Sequence, residues 1–139
     1  MIVSDVMSRE VEFLGSAATV QDAAELMGEL DVGALPVGDA SRLDGIVTDR
    51  DILFRAVSRG LDPAATPIRD ILSRPIIGCA ATDTIQTAMD LMAANHIRRM
   101  PVRGTDGDVI GWLTTADLAR RLLVDDGKLQ NALLALTGA

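Results

Sequence analysis

The chain has 139 residues, 48% of them hydrophobic, enough for one domain with a core or two small repeated units and too apolar for a disordered chain. A net charge of −7 and a pI near 4.5 oppose phosphate-rich partners, so neither nucleic acid nor an acidic membrane is expected. Aromatics amount to 2%, namely Phe13, Phe54 and Trp112, which leaves almost no platforms on which single-stranded bases would stack.

The opening stretch "MIVSDVMSREVEF" has no basic region and soon turns acidic, so it does not read as a signal peptide. A short apolar strand is predicted near Val11–Leu14. Thr19 then begins "TVQDAAELMGEL", and with Asp22 three residues on it makes a capping pair for a helix. Val20, Ala23, Ala24, Met27 and Leu30 give that helix an apolar stripe, the methionines reading as core filler. A strand follows through Leu35-Pro36-Val37, then the polar turn "GDASRLD", then the strand "GIVT". A second helix is predicted from about Asp49 to Arg59. The Gly and two Pro of "GLDPAATP", residues 60–67, stop it.

The rest of the chain repeats this order. A strand is predicted near Ile76–Cys79, a helix from Thr84 with Ile85, Ala88, Met89 and Met92 on its apolar face, and a strand through Met100-Pro101-Val102. The turn "RGTDGD", the strand "GWLT" and a helix from Thr115 to Val124 complete it. A shift of 65 residues places Asp5 on Asp70, Ser8 on Ser73, Thr19 on Thr84 and Pro36-Val37 on Pro101-Val102. After one inserted residue, Gly45, Thr48 and Asp51 fall on Gly111, Thr114 and Asp117. The chain is therefore read as two β-α-β-β-α units, an α/β (α+β) fold: residues 1–59, a joint at 60–67, residues 68–124, and a tail at 125–139. Neither unit of about 60 residues buries enough apolar surface alone, so the two are expected to share a core across a pseudo-two-fold axis. In the tail, Leu129, Ala132, Leu133 and Leu136 form a short apolar stripe, expected to dock on a partner protomer and make a homodimer, to which Ile52, Leu53 and Val57 also contribute.

One cysteine, Cys79, and one histidine, His96, exclude an intramolecular disulfide and argue against a zinc site within one chain; no metal site is expected. Cys79 reads as a small buried residue and His96 as structural. No apolar run approaches the roughly 18 residues of a membrane span. The chain is expected to be cytoplasmic.

Two motifs carry candidate chemistry, "GIVTDRDI" at 45–52 and "GWLTTADL" at 111–118. Thr48 and Thr114 each end a strand and open a helix, with Asp51 and Asp117 three residues on. Read plainly, each pair is a capping box. The same geometry suits a ligand: free N–H groups and a hydroxyl meet a phosphate, and a carboxylate one turn on accepts from the vicinal hydroxyls of ribose. Arg98 and Arg99 of "HIRRMP" replace the uncharged residues of "DVGALP" and are candidate phosphate clamps, of which strand alternation allows one. Arg50 stands in a first helical turn, where a cation is unfavourable unless it meets an anion, either a ligand phosphate or Asp49 or Asp51. Asp49 adds negative charge, so the corner at Thr114 suits phosphate better than the corner at Thr48.

The two repeats, the "ALPV" and "HIRRMPV" strands and the paired "GIVTDRDI" and "GWLTTADL" motifs resemble a tandem cystathionine-β-synthase (CBS) domain pair, or Bateman module, over residues 2–124. Within that family the chain is similar to small stand-alone actinobacterial pairs of the hypoxic-response type. The resemblance implies a non-catalytic sensor that binds an adenosine-containing ligand, AMP, ADP or ATP, in a cleft between the repeats. It gives threonine to the phosphate and aspartate to the ribose. It also implies adenine slots, one lined by Val11, Phe13, Ala34 and Leu35, the other by Ile76, Ile77, Arg99 and Met100. These apolar residues equally suit a core. The family pairs into discs, and the regulated partner is expected to be a separate protein. Two alternatives stand beside this reading: a ligand-free dimeric scaffold, and an enzyme, for which no base, nucleophile and metal constellation is evident.

Overall fold

The computed structural model describes residues 1–123, 127, 131 and 134–136. They form two compact bodies, one of Glu12–Ile76, the other of Met1–Val11 together with the residues from Ile77 on.

In the first body, Thr19 caps helix α1 (Val20–Leu30): its Oγ1 accepts from Asp22 N–H at 3.2 Å, and the Asp22 carboxylate accepts from Thr19 N–H at 2.9 Å. The helix buries Val20, Ala23 and Met27. The expected stripe is narrower than its sequence, because Ala24 and Leu30 turn outward. Asp31, in the left-handed region at φ 55°, ends it. Strands β1 (Ala34–Gly38) and β2 (Leu43–Thr48) pair antiparallel, with Ala34 opposite Thr48 and Leu35 opposite Val47. The strand predicted at Val11–Leu14 reduces to Leu14, bridged in parallel to Val37. The helix predicted at Asp49–Arg59 begins as α2 (Asp49–Asp51) and continues as a wider π-helix through Ile52–Val57.

The second body repeats this plan. Short β3 (Cys79–Ala80) runs parallel to β4 (Arg99–Arg103), later than the predicted Ile76–Cys79. Helix α3 (Ile85–Asn95), capped by Thr84, buries Ile85, Ala88 and Met92. Strand β5 (Val109–Thr114) pairs antiparallel with β4 and leads into α4 (Thr115–Leu122).

The bodies do not coincide with the sequence repeats. The opening stretch of each repeat packs in the body of the other. Val3 and Met7 join the core of Met92, Met100 and Leu113, while Ile68, Ile71 and Leu72 join the core of Leu35, Val37 and Val47. Backbone pairing fixes both stretches, Ser8 against Trp112 and Ser73 against Ile46. Gly45 and Gly111 make the approach possible. A Cβ on Gly45 would stand 3.1 Å from the Leu72 side chain, and one on Gly111 would overlap Met7 Sδ and lie 3.0 Å from Ser8 O.

In the tail, the stripe residues Leu129, Ala132 and Leu133, and also Val124 at the expected end of α4, lie outside the described residues. Leu136 is exposed. Among the described residues no helix is long and apolar enough to cross a membrane.

Candidate functional site

The strand–helix corner at Thr114 is built from the end of β5 and the start of α4. Thr114 Oγ1 accepts from Asp117 N–H at 3.1 Å, and Asp117 Oδ2 accepts from Thr114 N–H at 3.0 Å. The capping box is therefore real. It uses one carboxylate oxygen for the cap and leaves Oδ1 to Arg120, which donates at 2.7 Å. Arg120 is a member that the sequence reading missed, although its spacing of three from Asp117 is a helical-pair signal.

Register places the two candidate arginines differently. Arg99 is directly opposite Thr114 in the β4–β5 ladder, so the two side chains share a face. Arg98 precedes the strand. Its carbonyl accepts from Thr115 N–H at 2.8 Å, and its side chain edges a groove of about 550 Å³ between α3 and α4, floored by Met89, Met92 and Leu118. Register thus sets Arg99 beside Thr114, while Arg98 lines the α3–α4 groove together with Thr115. Trp112, two residues before Thr114 on β5, is half-buried.

The corner at Thr48 has the same backbone and different occupants. The box repeats, with Thr48 Oγ1 accepting from Asp51 N–H at 3.1 Å and Asp51 Oδ2 from Thr48 N–H at 3.0 Å. Here the remaining carboxylate face meets Ser73, whose hydroxyl lies 2.9 Å from both oxygens. Arg55 Nε stands 3.8 Å from Oδ1 and spends its NH1 on the Leu72 carbonyl at 2.8 Å. Asp51 is buried. The Asp49 carboxylate accepts from Arg50 N–H at 2.8 Å. The Arg50 guanidinium lies over the Phe54 ring, 5.0 Å from its centroid, so a cation–π contact answers the charge that the sequence reading gave to a phosphate or a neighbouring aspartate.

Of the residues expected to line adenine slots, Leu35 and Met100 are core side chains, and Ala34 is buried. Val11 and Ile77 belong to the second body, Ile76 to the first, and all three are half-buried. His96, in the left-handed region at φ 53°, is the C-cap of α3, a structural role. Cys79 is buried, and that burial, with Asp83 nearby, pushes its thiol up to about 11. A thiol so reluctant to ionise is a poor metal ligand. Among the described residues no three His, Cys, Asp or Glu side chains gather where a metal ion would need them.

The two repeats match the family model described as "CBS domain", at residues 3–58 and 68–124. The chain belongs to the CBS domain family. As a CBS pair it is a regulatory module of α+β build. It is 37% identical over 119 residues to hypoxic response protein 1 of Mycobacterium tuberculosis, a match covering 85% of this chain and 82% of that one. A crystal structure of Hypoxic Response Protein I, described with two coordinated zinc ions, matches at 35% identity and a TM-score of 0.77, covering 87% of this chain and 98% of that one. That metal is the relative's. The CBS pair of protein MJ0100, solved with 5′-methylthioadenosine and S-adenosylmethionine, shares the fold at 23% identity and a TM-score of 0.79, covering 91% of this chain and 98% of that one.

Proposed function

We propose that this CBS pair is a non-catalytic sensor of an adenosine-containing ligand of the AMP, ADP or ATP class and passes the signal to a separate protein partner. The observation that carries the reading is the Thr114 corner. A helix start, a threonine hydroxyl, the Arg99 side of the ladder and an Asp117 carboxylate whose Oδ1 is held by the flexible Arg120 meet there. The helix start and Arg99 suit phosphate, and Asp117 suits the ribose diol. Ligand binding shifts a regulatory equilibrium only as far as it favours one arrangement over another. The family and the adenosyl ligands of MJ0100 support the class. Thr114 has two functions in this reading, as cap and as phosphate contact. The protein acts as a homodimer, a role that suits the exposed Leu53, Phe54 and Val57 on the π-helix.

Titration with AMP, ATP and S-adenosylmethionine tests the reading. Trp112 points to the same face as Thr114, so its emission is expected to change saturably, with matching calorimetric heat. Silence with all three would leave a ligand-free scaffold as the function.

A further inference from the structure

We infer that the chain takes one adenosyl ligand, at the Thr114 corner, because the Thr48 corner is already filled by the protein's own side chains. The inference rests on the proposed function and adds its stoichiometry and the residues that set it.

Three contacts fill the first corner. The carboxylate that would receive ribose, Asp51, takes the Ser73 hydroxyl across both of its oxygens at 2.9 Å, besides its cap bond to Thr48 N–H and the longer contact to Arg55. A serine hydroxyl is the same kind of donor as a ribose hydroxyl, so Ser73 stands where the ligand's would. The Asp49 carboxylate takes Arg50 N–H at 2.8 Å, one of the first-turn donors on which a phosphate would rest, and brings a like charge. Ala34 occupies the ladder position opposite Thr48 that Arg99 occupies opposite Thr114, so the first corner also lacks the cation.

The second corner differs at each point. Thr115 replaces Asp49, and Arg99 replaces Ala34. Ser8, the counterpart of Ser73, pairs with β5 through its backbone and turns its hydroxyl to Glu10 O at 3.5 Å, away from Asp117. The Asp117 side chain is 17% exposed against 9% for Asp51, and its outside partner, Arg120, is a flexible side chain 31% exposed that can share the carboxylate or leave it. Ser73 is held by backbone pairing to Ile46 on both N–H and C=O, so its hydroxyl leaves the carboxylate only by turning about χ1, whereas Arg120 reaches it from the end of a long flexible side chain.

Calorimetric titration of the full chain with AMP, and separately with S-adenosylmethionine, counts the sites. One ligand per chain is expected. Two per chain would overturn the inference and leave the proposed function standing, whereas no heat with either would remove the proposed function itself. The double variant Asp49→Thr/Ser73→Ala gives the first corner the threonine of the second and frees Asp51. It is expected to bind two ligands per chain, the added one more weakly because Ala34 supplies no cation. A double variant that melts cooperatively and still binds one would overturn the assignment of these two side chains. If it does not fold, the wild-type count decides alone.

Discussion

Replacing Asp117 separates its two jobs. In Asp117→Ala, α4 loses the carboxylate that accepts from Thr114 N–H at 3.0 Å and the ion pair to Arg120 at 2.7 Å. The cap bond is worth about 1 kcal/mol, and the partly exposed i,i+3 pair about 0.3–0.5 kcal/mol after solvent screening. The reciprocal bond, from Asp117 N–H to Thr114 Oγ1, survives because its donor is backbone. The folded state should therefore lose about 1–1.5 kcal/mol, a fall in Tm of about 3–6 °C for a chain of this size. In Asp117→Asn, the amide oxygen still accepts from Thr114 N–H, so only the ion pair is lost and Tm should fall by about 2 °C or less. Ligand binding should respond differently. Both variants lose the charge-assisted acceptor for ribose, worth about 1.5–3 kcal/mol, so affinity for AMP should fall about ten-fold or more in each. The assays are Trp112 emission for binding and a thermal melt for stability, on the same samples. Asp117→Asn binding AMP as tightly as the wild type would refute the ribose role and leave Asp117 a cap alone.

The same reasoning reaches other residues. Asp51→Ala removes a buried carboxylate bonded to Thr48 N–H and Ser73, so it should cost about 2–3 kcal/mol in a denaturant melt, more than Asp117→Ala. Equal losses would contradict the tighter burial of the first corner. The folded thiol of Cys79 holds its proton up to about pH 11 against 9.0 ordinarily. The stability that this confers is complete below pH 9 and lost as pH rises towards 11, about 3 kcal/mol in all, and Cys79→Ala should flatten that stretch of the pH–stability curve. A Cβ at Gly111 would strike Met7 and the Ser8 backbone, so Gly111→Ala should cost about 1–3 kcal/mol and raise hydrogen exchange in residues 3–8, whereas exchange unchanged there would contradict the pairing of that stretch with β5. Light scattering should give a dimer mass for the wild type and a monomer mass for Leu53→Asp/Val57→Asp, because both side chains are more than half exposed on the π-helix. A dimer that survives both charges would move the contact elsewhere.

The sequence by itself determined the repeated plan. Helix and strand periods, the threonine caps and the Gly and Pro joint are local signals, and Thr19, Thr48, Thr84 and Thr114 all cap helices as their spacing demands. The duplication of Thr48–Asp51 as Thr114–Asp117 was legible for the same reason, since both partners of each pair lie within one helical turn. What surrounds those pairs was not legible. Ser73 lies 22 residues from Asp51, and only its backbone bridge to Ile46 of β2 brings its hydroxyl onto the carboxylate. The place of Arg99 opposite Thr114 needed the register of β4 against β5, because neighbouring strand residues have the same composition signal and opposite faces. The exchange of residues 1–11 and 68–76 between bodies is likewise a tertiary decision. Val3, Met7, Ile68 and Ile71 read as apolar in either partnership, and the core that each completes is set by which strand edge lies open beside it, a fact of three-dimensional packing that no local window of sequence contains.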